Sequence, residues 1–146
     1  MIRLGCAYLC VQDMAKSIDF YKKIFQQEPD VFTENRWVSF SCGQTLALFN
    51  VHYDEDVLAD DEHIDEKFNE EYQLDCCVAD EVTMNNQVVF NYYCDDLKAE
   101  YDRLKALHIG DVSIMYYVNI RTPYWYFNIR DPDGNLLEIT GPMHKK

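Results

Sequence analysis

The chain has 146 residues, room for one domain that buries about two-thirds of its unfolded surface. An apolar fraction of 48% with 27% charged residues excludes a disordered tail. A net charge of −13 argues against nucleic acid and anionic membrane as partners, and the expectation is a cytoplasmic protein without a membrane span or secretion leader.

An apolar run over residues 4–11 reads as the first strand. Asp13 follows as a helix N-cap, with Met14, Ile18, Tyr21, Ile24 and Phe25 at helical spacing. Strand-like segments come next near 31–33, then over 37–42 and 45–51, the last two separated by Gly43. Residues 54–81 then hold thirteen acidic side chains and one basic one, Lys67, which leaves the rest of the chain nearly neutral. This stretch reads as an acidic linker, about 54–86. A short helix within it is suggested by Ile64, Phe68 and Tyr72, four residues apart.

A second apolar run over 88–94 leads to Asp95-Asp96 as a cap and to Leu97, Tyr101, Leu104 and Leu107. Gly110 is expected to close that helix. Strands are expected over 112–118, 124–129 and 136–140, with turns at 121–123 and 131–134. Six cysteines at positions 6, 10, 42, 76, 77 and 94 form no C-x-x-C pair and read as reduced, mostly buried thiols.

Laying Asp13 on Asp96 matches the two helical stripes, so the chain reads as a duplication of a βαβββ unit, about 1–53 and 87–146. The expected fold class is α+β. Two tandem modules form a curved eight-stranded mixed sheet around a cleft, with the helices on the outer face. Period-2 alternation turns Ala7, Leu9, Val11, Leu137 and Ile139 toward the helices, and Cys6, Tyr8, Cys10, Leu136, Glu138 and Thr140 toward the cleft. On the same logic Trp125, Phe127 and Ile129 belong to the core. The cleft side comprises Tyr8, Trp37, Phe49, Asn91, Tyr93, Tyr126 and Glu138, and these are the candidate ligand-binding residues. Any single tyrosine is better explained as a ring covering the sheet. Together they suit a planar or cationic small molecule. Glu138 is the candidate catalytic base, or else a carboxylate bonded to a neighbouring tyrosine or a cationic ligand.

Residues 11–14 with 17–21, and above all 126–139 (YFNIRDPDGNLLEI), resemble the vicinal oxygen chelate superfamily of glyoxalase I, bleomycin-resistance proteins, fosfomycin-resistance enzymes and extradiol dioxygenases. The resemblance implies up to four metal ligands on the cleft face, on the first, fourth, fifth and eighth strands. Seven residues before each capping Asp stand Cys6 and Val89; four after each turn glycine stand Ala47 and Glu138. Only Glu138 has the usual ligand chemistry, and Gln87 is the one nearby substitute. No histidine (52, 63, 108 or 144) falls on a ligand position. The expectation is therefore no metal and no cofactor. The preferred reading is a small-molecule-binding protein of the bleomycin-resistance type, holding an aromatic or cationic ligand. The alternative is a metal-dependent lyase or transferase of the glyoxalase or fosfomycin-resistance type, using Glu138. Members commonly pair, so a homodimer is expected.

Overall fold

The computed structural model describes residues 5–60, 62, 64–68, 89–118 and 124–144. The chain folds as two compact units, Met1–Thr83 and Met84–Lys146.

In the first unit β1 (Ala7–Val11), α1 (Met14–Phe25), β2 (Val31–Thr33), β3 (Trp37–Ser41) and β4 (Thr45–Asn50) are followed by α2 (Tyr53–Asp60) and the one-turn α3 (Ile64–Lys67). The sheet order is β1-β4-β3-β2, with β1 parallel to β4 and the other pairs antiparallel. In the second unit β5 (Phe90–Tyr93), α4 (Leu97–Leu107), β6 (Tyr116–Val118), β7 (Tyr124–Arg130) and β8 (Leu136–Gly141) repeat the plan, in the order β5-β8-β7-β6. Again the first and last strands pair in parallel. The expected tandem βαβββ modules are present, and hydrogen bonding divides the eight strands into two mixed sheets of four.

Local chemistry sets the helix limits. The Asp13 side chain, on an extended backbone, accepts a hydrogen bond from the Lys16 amide at 3.0 Å, and Asp96 does the same for Ala99 at 3.0 Å. The Lys16 amide holds the Asp13 carboxyl below its ordinary range. Both helices end on a left-handed residue, Gln26 (φ 54°) and His108 (φ 51°). Gly110 is therefore not the cap of α4. It is small for another reason: a Cβ there would lie 3.0 Å from the Arg130 carbonyl oxygen.

Each helix seals one sheet face. Leu9, Val11, Met14, Phe20, Tyr21, Val38, Phe40 and Leu48 form the first core; Leu97, Leu104, Phe127, Ile129, Leu137 and Ile139 form the second. Each such side chain contributes about 1.5–3 kcal/mol through burial.

Ala7 shares the helix-facing side with its partner Leu46, but is exposed at the first position of the edge strand β1. Three expectations are corrected. Residues 112–115 are not strand: the Ser113 hydroxyl accepts the Asn128 amide at 2.9 Å, so a side chain stands where a ladder carbonyl would. Trp125 is half-buried rather than core, since its cross-strand partner Gly141 offers no side chain to cover it. Gly141 has to be glycine, because a Cβ would fall 2.3 Å from the Cys94 carbonyl oxygen. Of the cysteines, Cys10 is exposed and Cys6, Cys42 and Cys94 are half-buried, as cleft-face and turn positions dictate. Gln87, Tyr72, Cys76, Cys77 and the turn at 121–123 lie outside the described residues.

Candidate functional site

The face of each sheet away from its helix carries the candidate residues. In the first unit Tyr8 pairs with Ala47, and Trp37 with Phe49, so all four share that face. The Tyr8 ring centroid is 5.3 Å from that of Trp37 and 6.2 Å from that of Phe49, the second contact edge-on. This small cluster is already capped by a cation. The Arg36 guanidinium lies 5.0 Å from the Phe49 centroid and makes two hydrogen bonds to Asp54, Nε to Oδ1 at 2.7 Å and Nη2 to Oδ2 at 2.9 Å. Asp54 is 1% exposed. The acidic stretch thus begins inside the first unit. Nothing in the pattern of charges distinguishes Asp54 from its twelve acidic neighbours, and Arg36 gives no periodic signal either.

In the second unit Asn91 pairs with Glu138, Tyr93 with Thr140, Asn128 with Glu138, and Tyr126 with both Thr140 and Tyr116. All lie on one face. The Asn91 Nδ2 donates to Glu138 Oε1 at 2.8 Å, which fixes the carboxylate across the strand pair. An open cavity of about 580 Å³ adjoins them, lined among others by Asn91, Tyr93, Tyr124, Trp125, Glu138 and Thr140. The rings form a stack beside it: Tyr124 to Tyr126 at 5.8 Å and Tyr126 to Tyr116 at 5.1 Å, both within about 32° of parallel. Desolvation raises the Tyr126 phenol above its ordinary value, and the charges of Glu138, Tyr124 and Tyr116 add to the rise. The phenol therefore stays protonated and able to donate.

Of the seven candidate binding residues, the structure gathers Tyr8, Trp37 and Phe49 in the first unit, and Asn91, Tyr93, Tyr126 and Glu138 in the second. Tyr116 and Tyr124 were not among them. Tyr124 shares the strand parity of Tyr126, and that signal was available; Tyr116 required the β6–β7 register.

The register is duplicated too: Tyr8 opposite Ala47 and Asn91 opposite Glu138 are the same place in the two units. The family model for the glyoxalase/bleomycin resistance protein/dioxygenase superfamily matches residues 3–139. The chain belongs to this superfamily.

Among solved structures, the superfamily chain is similar to a lactoylglutathione lyase from Agrobacterium tumefaciens, at 24% identity and TM-score 0.61, over 95% of this chain and 92% of that one. It is also similar to FosX, a genomically encoded fosfomycin resistance protein from Listeria monocytogenes, at 14% identity and TM-score 0.65, over 98% and 95%. A glyoxalase/bleomycin resistance protein from Catenulispora acidiphila aligns at 12% identity and TM-score 0.55, over 93% and 95%. These likenesses establish the fold. A comparison with curated proteins finds no match.

The donor set does not fit a metal of the kind the superfamily binds. Ala47 and Val89 carry no donor atom, leaving Cys6 in one unit and Glu138 in the other. Among the described residues, no three His, Cys, Asp or Glu side chains group as a metal site. His52 faces Glu55 at 3.4 Å, and His144 meets the Asp95 carbonyl oxygen at 3.0 Å.

Proposed function

We propose that this chain is a metal-independent small-molecule-binding protein, and that it holds a planar cationic ligand against the ring-lined face of its second unit. The observation that carries the reading is Glu138. One of its oxygens is held by Asn91, it sits in a cavity large enough for a drug-sized molecule, and a tyrosine stack adjoins it. A carboxylate fixed beside aromatic faces favours a flat cation twice, by charge and by the ring quadrupoles. In the first unit the Phe49 face is already taken by Arg36, so the charged end of a ligand finds its partner at Glu138. Glu138 is a binding group in this reading, and no chemical step is assigned to it.

The test is a titration with an acridinium-type cation and with its neutral and anionic isosteres, followed by intrinsic tryptophan fluorescence in the presence of chelator. The cation is expected to bind at least about tenfold more tightly than either isostere. Glu138→Gln is expected to abolish that preference. Equal binding of the three compounds, or binding that disappears with chelator, would overturn the reading.

A further inference from the structure

The second unit has another cavity, on the same sheet, that the reading above does not use. It measures about 340 Å³ and is lined by the segment 111–113 on one side and by Asn128, Ile129, Arg130 and Leu136 on the other. Ser113 pins the segment in place, its amide donating to the Asn128 carbonyl at 2.9 Å and its hydroxyl accepting the Asn128 amide.

Three polar features of this cavity are unspent. Arg130 has five N–H donors and uses one hydrogen bond, Nη1 to the Gly134 carbonyl oxygen at 2.6 Å. No carboxylate pairs with it among the described residues. Its neighbour Asp131 is taken up by the turn, accepting from the amides of Asp133 and Asn135 and from the Asn135 side chain. Asp111 lines the same cavity, yet forms no ion pair with Arg130. Finally, Asn128 Oδ1 is buried with no hydrogen-bond donor among the described residues. A buried acceptor left without a donor is unfavourable, so the site favours a guest that supplies one.

We propose that this cavity binds the backbone end of a free α-amino acid. The carboxylate meets Arg130, and the ammonium meets the Asp111 carboxylate and, once the Asn128 amide turns toward the cavity, Asn128 Oδ1. Asn128 and Arg130 share a face two residues apart, about 7 Å along the strand, a span that a zwitterion and two hydrogen bonds bridge. Val112 and Leu136 suit an apolar side chain. A zwitterion carries no net charge, so the field of a chain at −13 does not oppose its entry. A simple anion would be repelled by Asp111, and a simple cation by Arg130. The proposal stands apart from the Glu138 reading, since it uses none of that cavity's residues.

The experiment is a backbone amide NMR titration of the full chain with leucine, with 3-methylbutylamine (which lacks the carboxylate) and with 4-methylpentanoate (which lacks the ammonium). Leucine is expected to shift the amides of Ser113, Asn128 and Arg130 with saturation at about millimolar concentration, and the two truncated compounds to bind at least about tenfold more weakly. Arg130→Gln is expected to lose about tenfold in affinity. Because Arg130 also braces the turn, Asp111→Asn on the exposed segment gives a second variant with intact folding, and about the same loss is expected. Equal binding of 4-methylpentanoate and leucine, unchanged affinity in Asp111→Asn, or no shift with leucine at about 50 mM would each overturn the proposal.

Discussion

Glu138 and Tyr126 show how one residue's chemistry depends on its neighbours. The two lie on one sheet face, and the negative charge of Glu138 adds to the desolvation that raises the Tyr126 phenol. A raised phenol pKa stabilises the fold below about pH 10; that contribution is lost as pH climbs from the ordinary value through the raised one. Glu138→Gln removes the smaller of the two main causes and leaves desolvation. The Tyr126 pKa is therefore expected to fall toward 10 without reaching it. Phenolate absorbance of each protein, corrected with its Tyr126→Phe counterpart, measures the shift. An unchanged pKa would mean that the Glu138 charge does not reach the ring, and the assignment of that carboxylate to the site would lose its electrostatic basis. Glu138 stood out in the sequence because a carboxylate alternated with Leu and Ile in a strand whose other face is core. Asn91, its hydrogen-bonding partner, was placed on the same face by alternation. Their contact is a matter of register across 47 residues, which no local pattern reports.

At the level of elements, the sequence was legible wherever a side chain bonds to its own neighbourhood. Asp13 and Asp96 were recognisable as caps because the acceptor and the amide it caps are three residues apart. The end of α4 was misread at Gly110. Glycine is the common left-handed residue, yet His108 takes that conformation here, and Gly110 answers instead to the backbone of β7. β6 is shorter than its apolar run because Ser113 diverts the edge into a side-chain bond. The acidic segment hid the largest exception. Its composition says solvated, whereas Asp54 in α2 is buried and clamped by Arg36 from the turn before β3. A carboxylate pair of this geometry is worth more than a surface bridge, although Arg36 is 37% exposed and solvent weakens it. Asp54→Asn keeps the shape and removes the charge. The expected cost is about 2 kcal/mol in urea unfolding, against less than about 0.5 kcal/mol for the exposed Asp56→Asn on the same helix. Equal effects of the two substitutions would show that α2 is not fastened through this pair.

Across the whole molecule, one architecture is used twice with different chemistry. The register equates Ala47 with Glu138 and Tyr8 with Asn91, so the duplicated position holds a methyl group in one unit and a hydrogen-bonded carboxylate in the other. The repeat was visible in the sequence because caps, helical stripes and turn glycines recur in order. The division of labour between the units was visible only in part, since Arg36 over Phe49 could not be foreseen. This asymmetry has a consequence for stoichiometry: a cation is expected to bind once per chain, in the second unit. The two tryptophans report on this separately, because Trp37 lies in the first unit and Trp125 lines the Glu138 cavity. Quenching by an acridinium-type cation is expected to survive Trp37→Phe and to vanish in Trp125→Phe, with one equivalent bound. Charge supplies the second half of the prediction. The formal net charge of −13 adds a long-range attraction for a cation to that of Glu138 itself. Raising ionic strength from about 0.01 M to about 0.15 M shortens the screening length from about 30 Å to about 8 Å. The affinity for the cation is expected to drop several-fold over that range, while that of the neutral isostere stays level. Two equivalents bound, or quenching that follows Trp37, would transfer recognition to the first unit. An affinity for the cation that ignores salt would confine the electrostatic attraction to Glu138 alone.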